Sequence, residues 1–194
     1  MRSPFSSAPL TGVIAALATL LATGTQSQAA TFIGAEVIAS REGPQLGTPA
    51  GGYTFSPAAF VVGSGPESAV STAGTPLASI DFGDSGLQIT FLTGNQFGVG
   101  PFNGYVFKSD AFTGVSGVTL DPLHTLSALT LDRISVVGDE LQLNLSGLSH
   151  GRGAVVALDF QFTAVPEPGT WALMIVGAGL AGASLRRRPR GLAA

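Results

Sequence analysis

Leu141-Gln142-Leu143-Asn144-Leu145-Ser146 sets three leucines on one face of an extended chain and three polar groups on the other. Successive side chains of a strand point to opposite faces, so the segment reads as a half-buried β-strand. The same period of two recurs downstream, where Val156, Leu158, Phe160 and Phe162 alternate with Val155, Ala157, Asp159 and Gln161. Upstream, Ile80 and Phe82 on one side and Leu87, Ile89 and Phe91 on the other flank Gly83-Asp84-Ser85-Gly86, which reads as a hairpin turn. Residues 134–137 and 141–145 flank Gly138-Asp139-Glu140 in the same way. Further strands are expected over residues 31–40, 53–62, 104–108 and 115–120, with 69–76 as a loop. No stretch between the termini carries a helical period, which argues against βαβ units. Short strands separated by Gly-rich turns predict an all-β fold, an antiparallel β-sandwich of jelly-roll-like type.

The 194 residues leave room for one domain with a substantial core once both terminal segments are set aside. Only 11% of residues are charged, and four of the nine basic residues crowd between Arg186 and Arg190. Between Ala30 and Ala164 stand eleven acidic residues against four basic ones, Arg41, Lys108, Arg133 and Arg152. Such an acidic body repels phosphate backbones, and no basic patch offsets this, so nucleic acid is not an expected partner. Cysteine is absent, which removes disulfides, thiolate metal sites and thiol nucleophiles.

The N-terminus begins Met1-Arg2 and continues through an apolar stretch of about ten residues, 13–22, to a polar run ending in Ala29-Ala30. A positive start, a short apolar segment and small residues at the end are the three parts of a secretory signal peptide. Ser27 and Ala29 supply the small residues for a cut after Ala29, and a cut after Ala30 is an alternative. Residues 1–29 are therefore expected to be a signal helix removed by signal peptidase.

At the other end, the uncharged run 171–185 is followed at once by Arg186, Arg187 and Arg188, with Arg190 beyond Pro189. Fifteen residues of helix rise about 22 Å, short of a hydrocarbon core of roughly 30 Å, so this transmembrane helix would cross only with local thinning or snorkelling. Trp171 suits a headgroup boundary, and the arginines mark the cytoplasmic side, leaving the body outside. Just before this span stands Val165-Pro166-Glu167-Pro168-Gly169-Thr170-Trp171-Ala172. Each proline lacks a backbone N–H and biases its predecessor toward extended geometry, which keeps the peptide out of the following helix and open to a processing enzyme.

Pro166, Glu167 and Pro168, an apolar segment opening at Trp171-Ala172 and the basic tail together resemble the PEP-CTERM signal in its Pro-Glu-Pro-x-x-Trp-Ala variant. The resemblance covers residues 165–194. It implies recognition and cleavage by exosortase, a membrane-embedded transpeptidase-like enzyme of exopolysaccharide-producing Gram-negative bacteria. An inner-membrane intermediate would then pass to the outer surface or the extracellular matrix. Three segments follow: a signal peptide over 1–29, a β-sandwich body over 30–164 and the sorting signal over 165–194.

Several motifs resemble sites of chemistry. Gly83-Asp84-Ser85-Gly86 matches the tetrapeptide around the nucleophile of chymotrypsin-like proteases, but both histidines, His124 and His150, follow it and the body is too short for two barrels. Gly177-Ala178-Gly179-Leu180-Ala181-Gly182 matches the dinucleotide fingerprint but lies in the terminal apolar segment with no acidic residue after it. Asp81 with Asp84, or Asp139 with Glu140, offers oxygens for calcium, and each pair equally suits a hairpin turn. The two histidines are expected in exposed loops. Asn144-Leu145-Ser146 matches a glycosylation acceptor inside a strand. Tyr53, Tyr105 and the phenylalanines offer faces for sugars, although most of the phenylalanines alternate as core. No catalytic residue, cofactor or metal is assigned. The expected protein is a non-enzymatic surface or matrix component, with exopolysaccharide as a further partner and biofilm as its setting. A carbohydrate-binding module, a small extracellular hydrolase and a permanently anchored protein are the alternatives.

Overall fold

The computed structural model describes residues 31–163 together with 175–179 and 182. Strands in chain order are β1 (Glu36–Glu42), β2 (Tyr53–Ser56), β3 (Ala59–Val61), β4 (Ser68–Thr72), β5 (Thr75–Phe82), β6 (Gly86–Phe91) and β7 (Asn95–Gln96). They continue with β8 (Gly104–Lys108), β9 (Val115–Leu120), β10 (Ile134–Val137), β11 (Glu140–Asn144), β12 (Ser149–His150) and β13 (Val155–Phe162). One sheet runs β10-β11-β8-β1-β3, a second runs β2-β4-β5-β6-β13-β9, and β12 pairs with β7 as a separate ribbon. All pairings are antiparallel.

The alternation read in the sequence is the burial pattern of the sheets. Leu141, Leu143 and Leu145 are wholly buried, as are Ile80 and Ile89, and each such side chain contributes about 1.5–3 kcal/mol relative to exposure. The large sheets meet through aromatic rings. Phe82 of β5 lies 5.4 Å from Phe107 of β8 and 6.0 Å from Phe60 of β3, and Phe55 of β2 lies 5.8 Å from Tyr105 of β8. These contacts join one sheet to the other, so the two sheets form the layers of a sandwich.

Glycine is required at one point inside a strand. A Cβ on Gly104 would collide with the Leu143 carbonyl oxygen, so only glycine lets β8 and β11 approach this closely.

Three expected elements differ in the structure. Residues 69–76 are not a loop but the β4–β5 hairpin, turning at Ala73 and Gly74 with φ of 46° and 78°. A bulge between Val70 and Ser71 accommodates Pro76, which cannot donate to a ladder. Residues 53–62 form two strands in different sheets, broken near Pro57. Residues 31–40 become strand only from Glu36. Before it, Phe32 turns inward and is wholly buried, with its ring 5.1–5.5 Å from Phe82, Phe112, Phe160 and Phe162. Phe112 reaches this cluster from a short 3-10 turn, Asp110–Gly114.

The signal helix and most of the expected transmembrane helix lie outside the described residues. Residues 175–179 and 182 are helical. Among the described residues no helix is long and apolar enough to cross a membrane.

Candidate functional site

The Gly83–Gly86 tetrapeptide is a hairpin turn fastening the start of the body. The Asp84 carbonyl accepts from Phe32 N–H at 2.9 Å and from the Thr31 hydroxyl at 2.9 Å, while the Ser85 carbonyl accepts from Phe160 N–H at 2.7 Å. Neither histidine hydrogen-bonds Ser85 among the described residues. His124 meets the Leu126 carbonyl through Nε2 at 2.7 Å.

The acidic pairs are likewise occupied structurally or stand apart. Lys108 reaches Asp139 at 3.3 Å and Glu140 at 3.4 Å, and hydrogen bonding to Asp139, then to Glu140, raises its pKa. Asp81 is raised by burial and by neighbouring Glu67. Asp159 is raised by burial and then by Asp121, with which it shares a shallow depression on the outer face of β13. Among the described residues no group of three or more His, Asp or Glu is arranged to hold a metal ion. Asn144 ties the segment before β8 to its own loop, accepting from Asn103 and Ser146 N–H at 3.2 and 3.1 Å and donating to the Pro101 carbonyl at 3.1 Å. Gly177, Gly179 and Gly182 are helical, so the dinucleotide fingerprint is not a strand-to-helix turn.

A polar centre that the sequence reading did not single out lies between the sheets. Inward positions of β1 are Val37, Ala39 and Arg41, so the alternation that buries two apolar side chains also buries a guanidinium, 8% exposed. Tyr53, Phe97 and Tyr105 surround it, with ring centres 4.8, 4.5 and 5.4 Å from Cζ. Nη1 donates to the Gly104 carbonyl at 3.2 Å. Among the described residues the ion pairs are those of Lys108, and none involves Arg41. Ring contacts of about 0.5–2 kcal/mol each are of the same order as the several kcal/mol that removing a cation from water costs. The guanidinium is therefore held near balance.

The β7–β12 ribbon covers this centre. It carries His150, which is not an exposed loop residue: it is half-buried and stacked on Phe91 at 3.8 Å with rings inclined by 20°. Burial, and then the charge of Arg41, hold the imidazole below its usual range, against the pull of nearby backbone at Gly151 and Thr93. Tyr105, 2% exposed, is core rather than a sugar platform, and burial pushes its phenol pKa up. Tyr53 remains half-exposed at the rim. The signal that marked the centre was a cation in register with buried residues, but strand one was expected to end at residue 40.

The sorting residues Pro166, Glu167, Pro168, Trp171 and Ala172, the tail Arg186, Arg187, Arg188 and Arg190, and the cleavage residues Ala29 and Ala30 lie outside the described residues. Their assignment rests on sequence. The family model for the PEP-CTERM protein-sorting motif matches residues 164–188, which contain Pro166-Glu167-Pro168, the apolar run and the first three arginines. The chain carries a PEP-CTERM sorting motif, the signal of an exosortase-sorted exported protein. No curated protein and no solved structure matches the chain.

Proposed function

We propose that the chain is a non-enzymatic exported protein, sorted by exosortase through residues 165–194 and retained at the outer surface or in an exopolysaccharide matrix in a structural or adhesive role. The carrying observation is the sorting-motif match over residues 164–188. Signal peptidase acts first at Ala29 or Ala30, leaving the chain held in the inner membrane by the apolar run and the arginine cluster. Exosortase then engages the extended Pro166-Glu167-Pro168 just outside the membrane. The body is the cargo. Support for a non-enzymatic role comes from the motifs that resemble chemistry: Gly83–Gly86 serves as the turn between β5 and β6, and Asp139 and Glu140 pair with Lys108.

Replacing Pro166, Glu167 and Pro168 together with alanine tests the route. Fractionated producing cells should show the variant accumulating in the inner membrane while the wild type reaches the surface. Unchanged release of the variant would sink the sorting claim.

A further inference from the structure

Arg41 lines a small cavity whose polar groups the fold does not fully satisfy. Four buried side-chain atoms lack a hydrogen-bond partner among the described residues: Thr93 Oγ1, Asn103 Oδ1, His124 Nδ1 and His150 Nδ1. Two of these, on Thr93 and His150, belong to residues lining the same small cavity as Arg41. The cavity offers about 20 Å³ and none of its lining residues is acidic. In a body that is otherwise acidic, a buried guanidinium shares this cavity with two residues that each carry an unpartnered polar atom, and no anionic side chain lines it.

We propose that this cavity is a carboxylate-binding site, in which Arg41, Thr93 and His150 receive one carboxylate while the molecule carrying it stays at the rim beside Tyr53, Asn95 and Gln96. The chemistry of the donors selects the ligand. A guanidinium presents five N–H groups in a planar fork, of which Gly104 accepts one. The three rings packed around the guanidinium hold it in place. Thr93 supplies a rotatable O–H, and a neutral imidazole can carry its proton on Nδ1. All three can donate toward a single oxygen-rich group, and a cation would be repelled. The volume exceeds what a single water needs and admits the carboxylate tip of a ligand, while a whole sugar or side chain is excluded from the interior. The proposal is independent of the sorting route.

The test uses the full-length chain in a non-ionic detergent with nitrogen-labelled histidine and arginine. Sodium acetate is titrated against sodium chloride at matched ionic strength. Expected is a saturable shift of the His150 ring nitrogens and Arg41 Nε, with His124, the second histidine, unmoved. Loss of the charge-assisted hydrogen bonds in Arg41→Met should weaken acetate binding by about tenfold or more. Thr93→Val, which leaves Arg41 in place, should weaken it severalfold and keeps the test valid if Arg41→Met fails to fold. D-glucuronate and N-acetyl-aspartate then assign the carrier: whichever binds more tightly than acetate is the class the rim accepts. D-glucose should give no response. A silent His150 would mean that a trapped water satisfies Thr93 and His150 and would overturn the proposal. An equal response to chloride, or unchanged acetate binding in both variants, would overturn it as well.

Discussion

The two ends of the sandwich are closed by opposite chemistry. Strands β1, β5, β6 and β8 each run from one end to the other, so the same ladders supply both. At one end Phe32 is driven between the sheets among Phe82, Phe112, Phe160 and Phe162, and its backbone is fastened to Asp84. At the other end the rings of Tyr53, Phe97 and Tyr105 gather around a cation, beneath a ribbon only two residues wide on each side. Aromatic side chains supply apolar area in both places. Only in the second do they also hold a charge whose hydrogen-bonding capacity exceeds what the fold uses. The first arrangement serves stability, and the second leaves chemistry available.

The contrast can be broken most forcefully at Phe32. Phe32→Ala removes a fully buried ring touching four others and should cost about 3–5 kcal/mol in denaturant unfolding. A loss below 1 kcal/mol, on the order of a surface change, would show that the N-terminal plug is not integral. Gly104→Ala should cost about 1–3 kcal/mol, because the added methyl must push β8 from the Leu143 carbonyl. Its hydrogen exchange should loosen between β8 and β11 first.

Arg41→Met sharpens the contrast from the other end. In buffer free of carboxylates its stability should stay within about 1 kcal/mol of wild type, since removing a buried charge offsets the lost ring and carbonyl contacts. A loss as large as that of Phe32→Ala would make the guanidinium a structural keystone and erase the difference between the ends.

The smallest effect is expected at Asp159, on the outer face of the sandwich. Its folded pKa is raised by burial and then by Asp121, so the folded state disfavours its ionised form. Asp159→Asn should therefore stabilise slightly at pH 7, by less than about 0.5 kcal/mol. That gain should fade on acidification below the ordinary carboxylate value of 3.8, where wild-type Asp159 is protonated in both states. Melting curves of the two proteins should therefore converge across that range, and a gap that widens on acidification would contradict the raised pKa.

How much of this was legible follows from length and register. The long alternating runs at Ile80–Phe91 and Leu141–Phe162 announced half-buried strands because each presents several apolar side chains at a period of two. The β4–β5 hairpin was hidden because Ala73 adopts positive φ without glycine's help and Pro76 sits in a strand at a bulge. The strands β7 and β12 are two residues long, too short to show any period, so His150 looked like a loop residue. Arg41 fell one position beyond the expected end of its strand, and its three rings come from separate parts of the chain. Sheet order could not be read either, because alternation gives a strand its face but not its neighbour. The sorting motif is different in kind. Its parts are contiguous, so the order Pro-Glu-Pro, apolar run and arginines was readable without a fold.

Whether that segment is removed is decided by the intact mass of protein recovered from the surface of producing cells. Export and sorting should leave a chain beginning at Ala30 or Thr31 and ending near Pro166-Glu167-Pro168, without the apolar run and arginines. Surface material that still carries Trp171 to Arg190 would contradict it and mark the segment as a permanent anchor.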